Sequence, residues 1–157
     1  QEVMALDNTA SVTDGARWEA AKIWVAFSRR IPADEIVRGR DRTAAKARVY
    51  EPTKAKWDDM IKSDLNPHER WTRDVINIGV MDNTQDKQGN MTSIVVTWTE
   101  KTFRDFKPMG QPVLMTQTIV MRDINPRPGA WDGIEIVDFS LPTPAPAMPS
   151  LKEVPIN

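Results

Sequence analysis

Few residues in this chain could do chemistry. The one histidine, His68, lies in the turn Asn66-Pro67-His68-Glu69-Arg70, and cysteine is absent. A zinc ion on this imidazole would need carboxylates for every other ligand, and nothing in the local sequence pairs with it as a general base. Without cysteine there can be no disulfide, thiolate metal site or cysteine nucleophile. The carboxylates Asp58 and Asp59 are adjacent, Glu100 and Asp105 are out of phase, and all four read as solvated residues or strand-end charges. There is no phosphate-cradling glycine loop and no nucleophile elbow. One arrangement keeps catalysis open: an apolar cavity with Asp74, Glu100, Arg122 and Tyr50 turned into it as polar groups. The expectation is therefore a non-enzymatic protein without metal or cofactor, the cavity enzyme being the alternative.

The elements that would position these residues fall into two halves. Oxygen side chains at Ser11, Thr13 and Asp14 suit the start of a helix over 15–30, with Trp18, Ala21, Val25 and Ser28 as an apolar stripe and Arg17, Glu19, Lys22, Arg29 and Arg30 facing water. A second helical segment spans 33–50. Pro32 leads in, Asp34 and Glu35 suit its first turn, and Gly39 ends or kinks it before it resumes at Asp41. Pro52 stops it, and Thr53 caps a third helix over 54–63 bearing Trp57, Met60 and Ile61.

From Trp71 the period becomes two. A first strand is more apolar on the Ile76, Ile78, Val80 side, and a polar connection follows at 82–90. The second strand, 91–106, puts Val96, Trp98 and Glu100 on one face and Val95, Thr97 and Thr99 on the other. Strands at 113–123 and 134–139 complete a four-stranded antiparallel meander, giving the class α+β with three N-terminal helices on a curved sheet. Beyond Ser140, proline at nearly every second position in 142–149 favours an extended chain and forbids ladder pairing. The organisation is a lead-in over 1–13, one domain over 14–141 and a proline-rich tail over 142–157, which is either disordered or docks in an aromatic groove on a partner.

Composition fits one ordinary globular domain of 157 residues, 40% apolar and 27% charged, outside the disordered class. The net charge of −1 hides an asymmetry: residues 16–70 hold 13 Lys or Arg against 9 Asp or Glu, and the remainder 8 against 13. A nucleic-acid binder would carry a clearly basic domain and a recognition motif, so no nucleic-acid partner is expected. Opposite charge on the two halves suits protein partners, with Arg38, Arg42, Lys46 and Arg48 of the second helix as contact residues. If exposed, their reversal should leave stability unchanged. Among the six tryptophans, Trp18, Trp24, Trp57 and Trp98 are the expected core anchors. No stretch reaches the roughly 18 apolar residues of a membrane span.

The run Trp98-Thr99-Glu100-Lys101-Thr102-Phe103 resembles the central strand of the TrbF-type, conjugal-transfer branch of the VirB-eight-like family, inner-membrane and periplasm-facing proteins of type IV secretion systems. A second stretch, Gly133-Ile134-Glu135-Ile136-Val137-Asp138-Phe139-Ser140, resembles the family's last strand, and the helices-then-strands order agrees over about residues 14–141. The family's Asn-Pro-x-Gly turn runs directly into that strand. Here Asn125-Pro126-Arg127-Pro128-Gly129 is followed by Ala130-Trp131-Asp132, so either the turn is lengthened or Asp132-Gly133 takes over its geometry.

The resemblance implies a nuclear-transport-factor-two-like fold and a periplasmic domain tethered to the inner membrane by an N-terminal helix that lies outside this sequence. It further implies a structural role in assembling a conjugative machine, with other secretion components as partners and weak self-association into a dimer or higher oligomer. It also implies a contact role for the turn residues Gly133 and Ile134.

Overall fold

A computed structural model describes residues 12–86 and 91–146. Helix α1, Asp14–Arg29, starts where Thr13 accepts a hydrogen bond from the Ala16 N–H, and buries Ala20, Ala21, Trp24, Val25 and Ser28 along one stripe. Helix α2, Glu35–Ala47, is capped by Asp34, which accepts from the N–H groups of Ile36 and Val37. Asp34 is thus the cap and not part of the first turn, and the helix runs unbroken through Gly39. After a 3₁₀ turn at Glu51–Thr53, α3 spans Lys54–Lys62. Thr53 does not cap α3; its hydroxyl donates instead to the Val137 carbonyl.

The sheet has six antiparallel strands, not four: β1 Trp71–Gln85, β2 Met91–Arg104, β3 Lys107–Pro108, β4 Val113–Asp123, β5 Ile134–Phe139 and β6 Thr143–Pro144. The long strands lie in the order β1-β2-β4-β5, with β3 paired to β2 and β6 to β4. Both added strands come from features that hide the pairing in the sequence. Asp105 and Phe106 have φ of 56° and 66° and form a two-residue turn that ends β2 at Arg104 and folds β3 back on it. Proline at 144 is tolerated because β6 is an edge strand, where a missing N–H faces no partner. Residues 147–157 of the expected tail and 1–11 of the expected lead-in lie outside the described residues.

Strand β1 departs from the expected phase. A register slip between Ile76 and Gly79, with Asn77 at φ 56°, adds a residue opposite β2. Val75, Ile78 and Val80 therefore pack on the core, while Ile76 pairs with Thr99 on the other face. Uninterrupted period-two alternation would instead put Ile76 on the same face as Ile78 and Val80.

The core lies between the helices and the sheet. Trp24 and Val25 of α1 and Trp57 and Met60 of α3 meet Ile94, Val96 and Trp98 of β2, Ile119 and Met121 of β4, and Ile136 and Phe139 of β5. Each buried indole N–H has an acceptor: Trp24 the Ala45 carbonyl, Trp57 the Ser28 hydroxyl and Trp98 the Glu100 carboxylate. Trp18 is not a core anchor. It sits at the edge of the α1 stripe and is 40% exposed, while Arg17 turns toward the sheet and pairs with Asp123.

The stretch before β5 adopts both geometries that the sequence left open. Asn125 to Gly129 forms a lengthened turn, and Gly133, at φ 77°, makes a second one in which its N–H donates to the Ala130 carbonyl. The lengthened turn lies against the C-terminal end of α2. At Gly129, φ 87°, a Cβ would fall 2.5 Å from that of Ala47, so only glycine fits.

Candidate functional site

Residues 38, 42 and 46 recur every four positions along α2 and share a helical stripe, but the structure gives each a different task. Arg38 donates to the Pro32 carbonyl at 3.2 Å. Arg42 donates to the Phe27 carbonyl, and its pKa falls to about 10, chiefly because burial removes water from the guanidinium; the nearby cations Arg73 and Arg29 oppose the help given by Asp64 and Asp41. Lys46 pairs with Asp58 of α3 at 3.0 Å. Arg48, beyond the helix end, pairs with Asp132 at 2.8 Å and donates to the Ile134 carbonyl at 3.0 Å, tying α2 to the lengthened turn. The expected single exposed basic face does not exist, and reversal of Arg42 and Arg48 would break internal contacts.

Gly133 and Ile134 are buried, Ile134 completely, so neither presents a side chain to a partner. The physical reason is the double turn, which draws the start of β5 under the end of α2. Arg127 of that turn donates to the Ala47 carbonyl at 2.7 Å and shares the buried Glu135 carboxylate with Arg122. A cation at this point satisfies the free carbonyls and the negative end of the helix dipole.

The sequence reading missed a buried ionic cluster at the other end of the molecule. Arg29, on α1, meets Glu100, on β2, through two hydrogen bonds of 2.8 and 3.0 Å. Trp98 donates to the same carboxylate at 2.8 Å. Arg73, on β1, donates to the Arg29 carbonyl and forks onto both oxygens of Asp64, and lies 3.8 Å from Glu100. Burial of Asp64 works against its charge, but the Arg73 hydrogen bonds and the charges of Arg73 and Arg29 outweigh it and hold its pKa below the usual carboxylate range. Glu100 is thus neither a solvated residue nor a strand-end charge, and Arg29 does not face water. A signal was present: Glu100 shares the parity of Val96 and Trp98, and Arg29 follows Val25 by four residues on the buried stripe of α1.

The candidates for a catalytic cavity are not brought together. Glu100 and Arg122 lie near opposite ends of the β2–β4 ladder, about 30 Å apart along the strands at 3.3 Å per residue. Asp74 is exposed and opposite Lys101, while Arg122 stacks over Tyr50 at 4.5 Å and binds Glu135. Trp24, Trp98, Ile119 and Met121 occupy the space between helices and sheet. His68 is exposed, and among the described residues no group of three or more His, Cys, Asp or Glu could hold a metal ion.

No protein-family model matches the chain, and no curated protein matches it in sequence. Solved structures do match it in fold. The soluble domain of TrwG, from the type IV secretion machinery of Bartonella grahamii, aligns over 89% of this chain and 99% of its own, with a TM-score of 0.65 and 12% identity. CagV, a VirB8 homologue of the Helicobacter pylori strain 26695 type IV secretion system, aligns over 82% and 96%, with a TM-score of 0.63 and 11% identity. The periplasmic domain of DotI aligns over 85% and 97%, with a TM-score of 0.61 and 10% identity. The arrangement of three helices against an antiparallel sheet is therefore a VirB8-like fold.

Proposed function

We propose that this chain is the periplasmic domain of an inner-membrane bridge protein of a conjugative type IV secretion system, and that it acts by binding other proteins and not by catalysis. The observation that carries this reading is the fold, shared over more than four fifths of the chain with TrwG, CagV and DotI. The two strand segments that resemble the TrbF branch, now seen as β2 and β5, support the conjugative form of the reading. Polar groups that could have formed a catalytic cavity are instead tied to one another as Arg29–Glu100 and Arg122–Glu135 pairs, which supports the non-catalytic part.

In this reading the full-length protein is tethered to the inner membrane by an anchor outside this domain. Contacts between such modules are individually weak. Tethering at a membrane raises their effective concentration, so self-association of the free domain should be detectable only at high concentration. The test is genetic and direct: deletion of the gene should abolish DNA transfer between cells, and the anchored full-length protein should restore it, with site-specific crosslinks from this domain recovering other secretion components. Undiminished transfer after deletion would overturn the assignment.

A further inference from the structure

Deepening the reading of the chain as an assembly module, we infer that the groove between α2, the end of α3 and the β2–β3 turn is a docking site for a partner segment carrying acidic beside apolar side chains. Two recesses make up the groove. One, of about 390 Å³, is lined by Gly39 and Arg42 of α2 with Ile61 and Leu65 as apolar wall. The other, of about 200 Å³, runs past Trp71 to Phe106. Arg38 and Pro67 line both, so the two recesses adjoin.

Charge complementarity identifies the occupant. Three carboxylates border the groove, and two are already engaged: Asp64 by Arg73, and Asp105 by Arg70 at 2.7 Å. Glu35, at the exposed start of α2, is the third. Opposite them, Arg42 uses its guanidinium only on the Phe27 carbonyl, and Arg38 only on that of Pro32. No carboxylate contacts either cation among the described residues. A planar fork with unused donors beside an apolar wall is matched by a carboxylate flanked by apolar side chains. Burial, more than any neighbouring charge, lowers the pKa of Arg42 to about 10.

The far end of the groove gives an independent observation. Phe106 is 76% exposed, and it holds φ 66° in the second position of a tight turn where asparagine or glycine would relieve the strain. Arg70 and Asp105, both also left-handed, staple the turn in place: the Asp105 N–H donates to the Arg70 carbonyl, and their side chains pair. An aromatic ring presented to solvent on a braced and strained turn, next to arginines, is the composition of an interface anchor.

The test uses a synthetic array of octapeptides, each with two Glu or Asp residues around Leu or Phe, and the same array with Lys in place of the acids. Binding to the purified chain is read by fluorescence anisotropy. Acidic members should bind and their Lys counterparts should not; Arg38→Gln and Phe106→Ala should each weaken binding about tenfold while leaving the circular dichroism spectrum and melting temperature in place. Absence of acidic selection, or selection that both variants retain, would overturn the groove. Concentration-dependent dimerisation abolished by Phe106→Ala, without peptide selection, would overturn it in favour of a second copy of this chain. In cells, wild-type transfer by the double variant alongside loss of transfer on gene deletion would remove the groove and leave the assembly role standing. Undiminished transfer on deletion would remove the assembly role whatever the peptides do.

Discussion

Arg29 and Arg42 lie on neighbouring helices, both largely out of water, and they differ in what they meet. Arg29 is gripped by Glu100 through two hydrogen bonds, and Arg73 by Asp64 in the same way. Arg42 meets one backbone carbonyl. A guanidinium held by a carboxylate in a dry site fixes one geometry and fastens α1 to β1 and β2. A guanidinium with unused donors at the wall of an open groove is left able to take an outside anion. The contrast shows that arginine content does not mark an interface, because carboxylates within reach decide which cations are structural.

The largest effects should come from the paired region. Glu100→Ala removes the carboxylate that grips Arg29, leaving it only the more distant Asp64 at 3.6 Å, and leaves the Trp98 N–H without an acceptor, which should cost about 3–5 kcal/mol in urea denaturation. A loss under about 1 kcal/mol would mean that water reaches the cluster and the comparison with Arg42 fails. Trp24→Ala should cost a similar 3–5 kcal/mol, since it opens a cavity against Phe139, whose ring is 5.2 Å away. Trp18→Ala should cost less than about 1 kcal/mol, because much of that ring is already in water.

Asp64 sharpens the same contrast through pH. Its folded pKa is depressed, so the stability it contributes is fully present above the unfolded value near 3.9 and is lost as pH falls through the lower folded value. Asp64→Asn should therefore destabilise the domain by about 1–3 kcal/mol at neutral pH, and the gap between variant and wild type should narrow on acidification below about pH 4. A gap constant down to pH 2 would show that the Arg73–Asp64 contact is not ionic in origin.

These two regions also separate what was legible in the sequence from what was not. Period-two alternation in 91–104 located β2 and assigned Val96, Trp98 and Glu100 to one face. The same logic slipped in β1, since a bulge at Asn77 changes the parity without leaving a mark in hydropathy. The helices were legible from their caps and stripes, though Gly39 was over-read as a break: helical context absorbed a residue whose cost relative to alanine is only about 1 kcal/mol. The tail prolines excluded a central strand but not an edge one, which is how β6 escaped. For the candidate site, the basic character of the second helix was legible, but not that, of its cations, Arg38 and Arg42 are the ones lining the proposed groove. Which charges pair depends on contacts such as 29 with 100 and 48 with 132, and long-range pairing is invisible to composition and local spacing.

The smallest effect comes from dividing the charges of α2 themselves. Arg48 is mostly buried, and its guanidinium joins Asp132 to the Ile134 carbonyl at the lengthened turn. Arg48→Gln should cost about 1–2 kcal/mol, because it unfastens the turn from the helix end and leaves a carboxylate without its partner. Arg40, two residues from Arg42 on the same helix, is exposed, and among the described residues no side-chain hydrogen bond or ion pair engages it. Arg40→Gln should change stability by less than about 0.5 kcal/mol in either direction, as expected of a solvated charge with no fixed partner. If the two variants proved equally silent, Arg48 would be as free as Arg40, and the basic character of α2 would again be a single exposed face. A clear difference, with Arg40→Gln also leaving peptide binding in the groove within about twofold, would confine recognition to Arg38 and Arg42, the two cations whose unused donors line the recess.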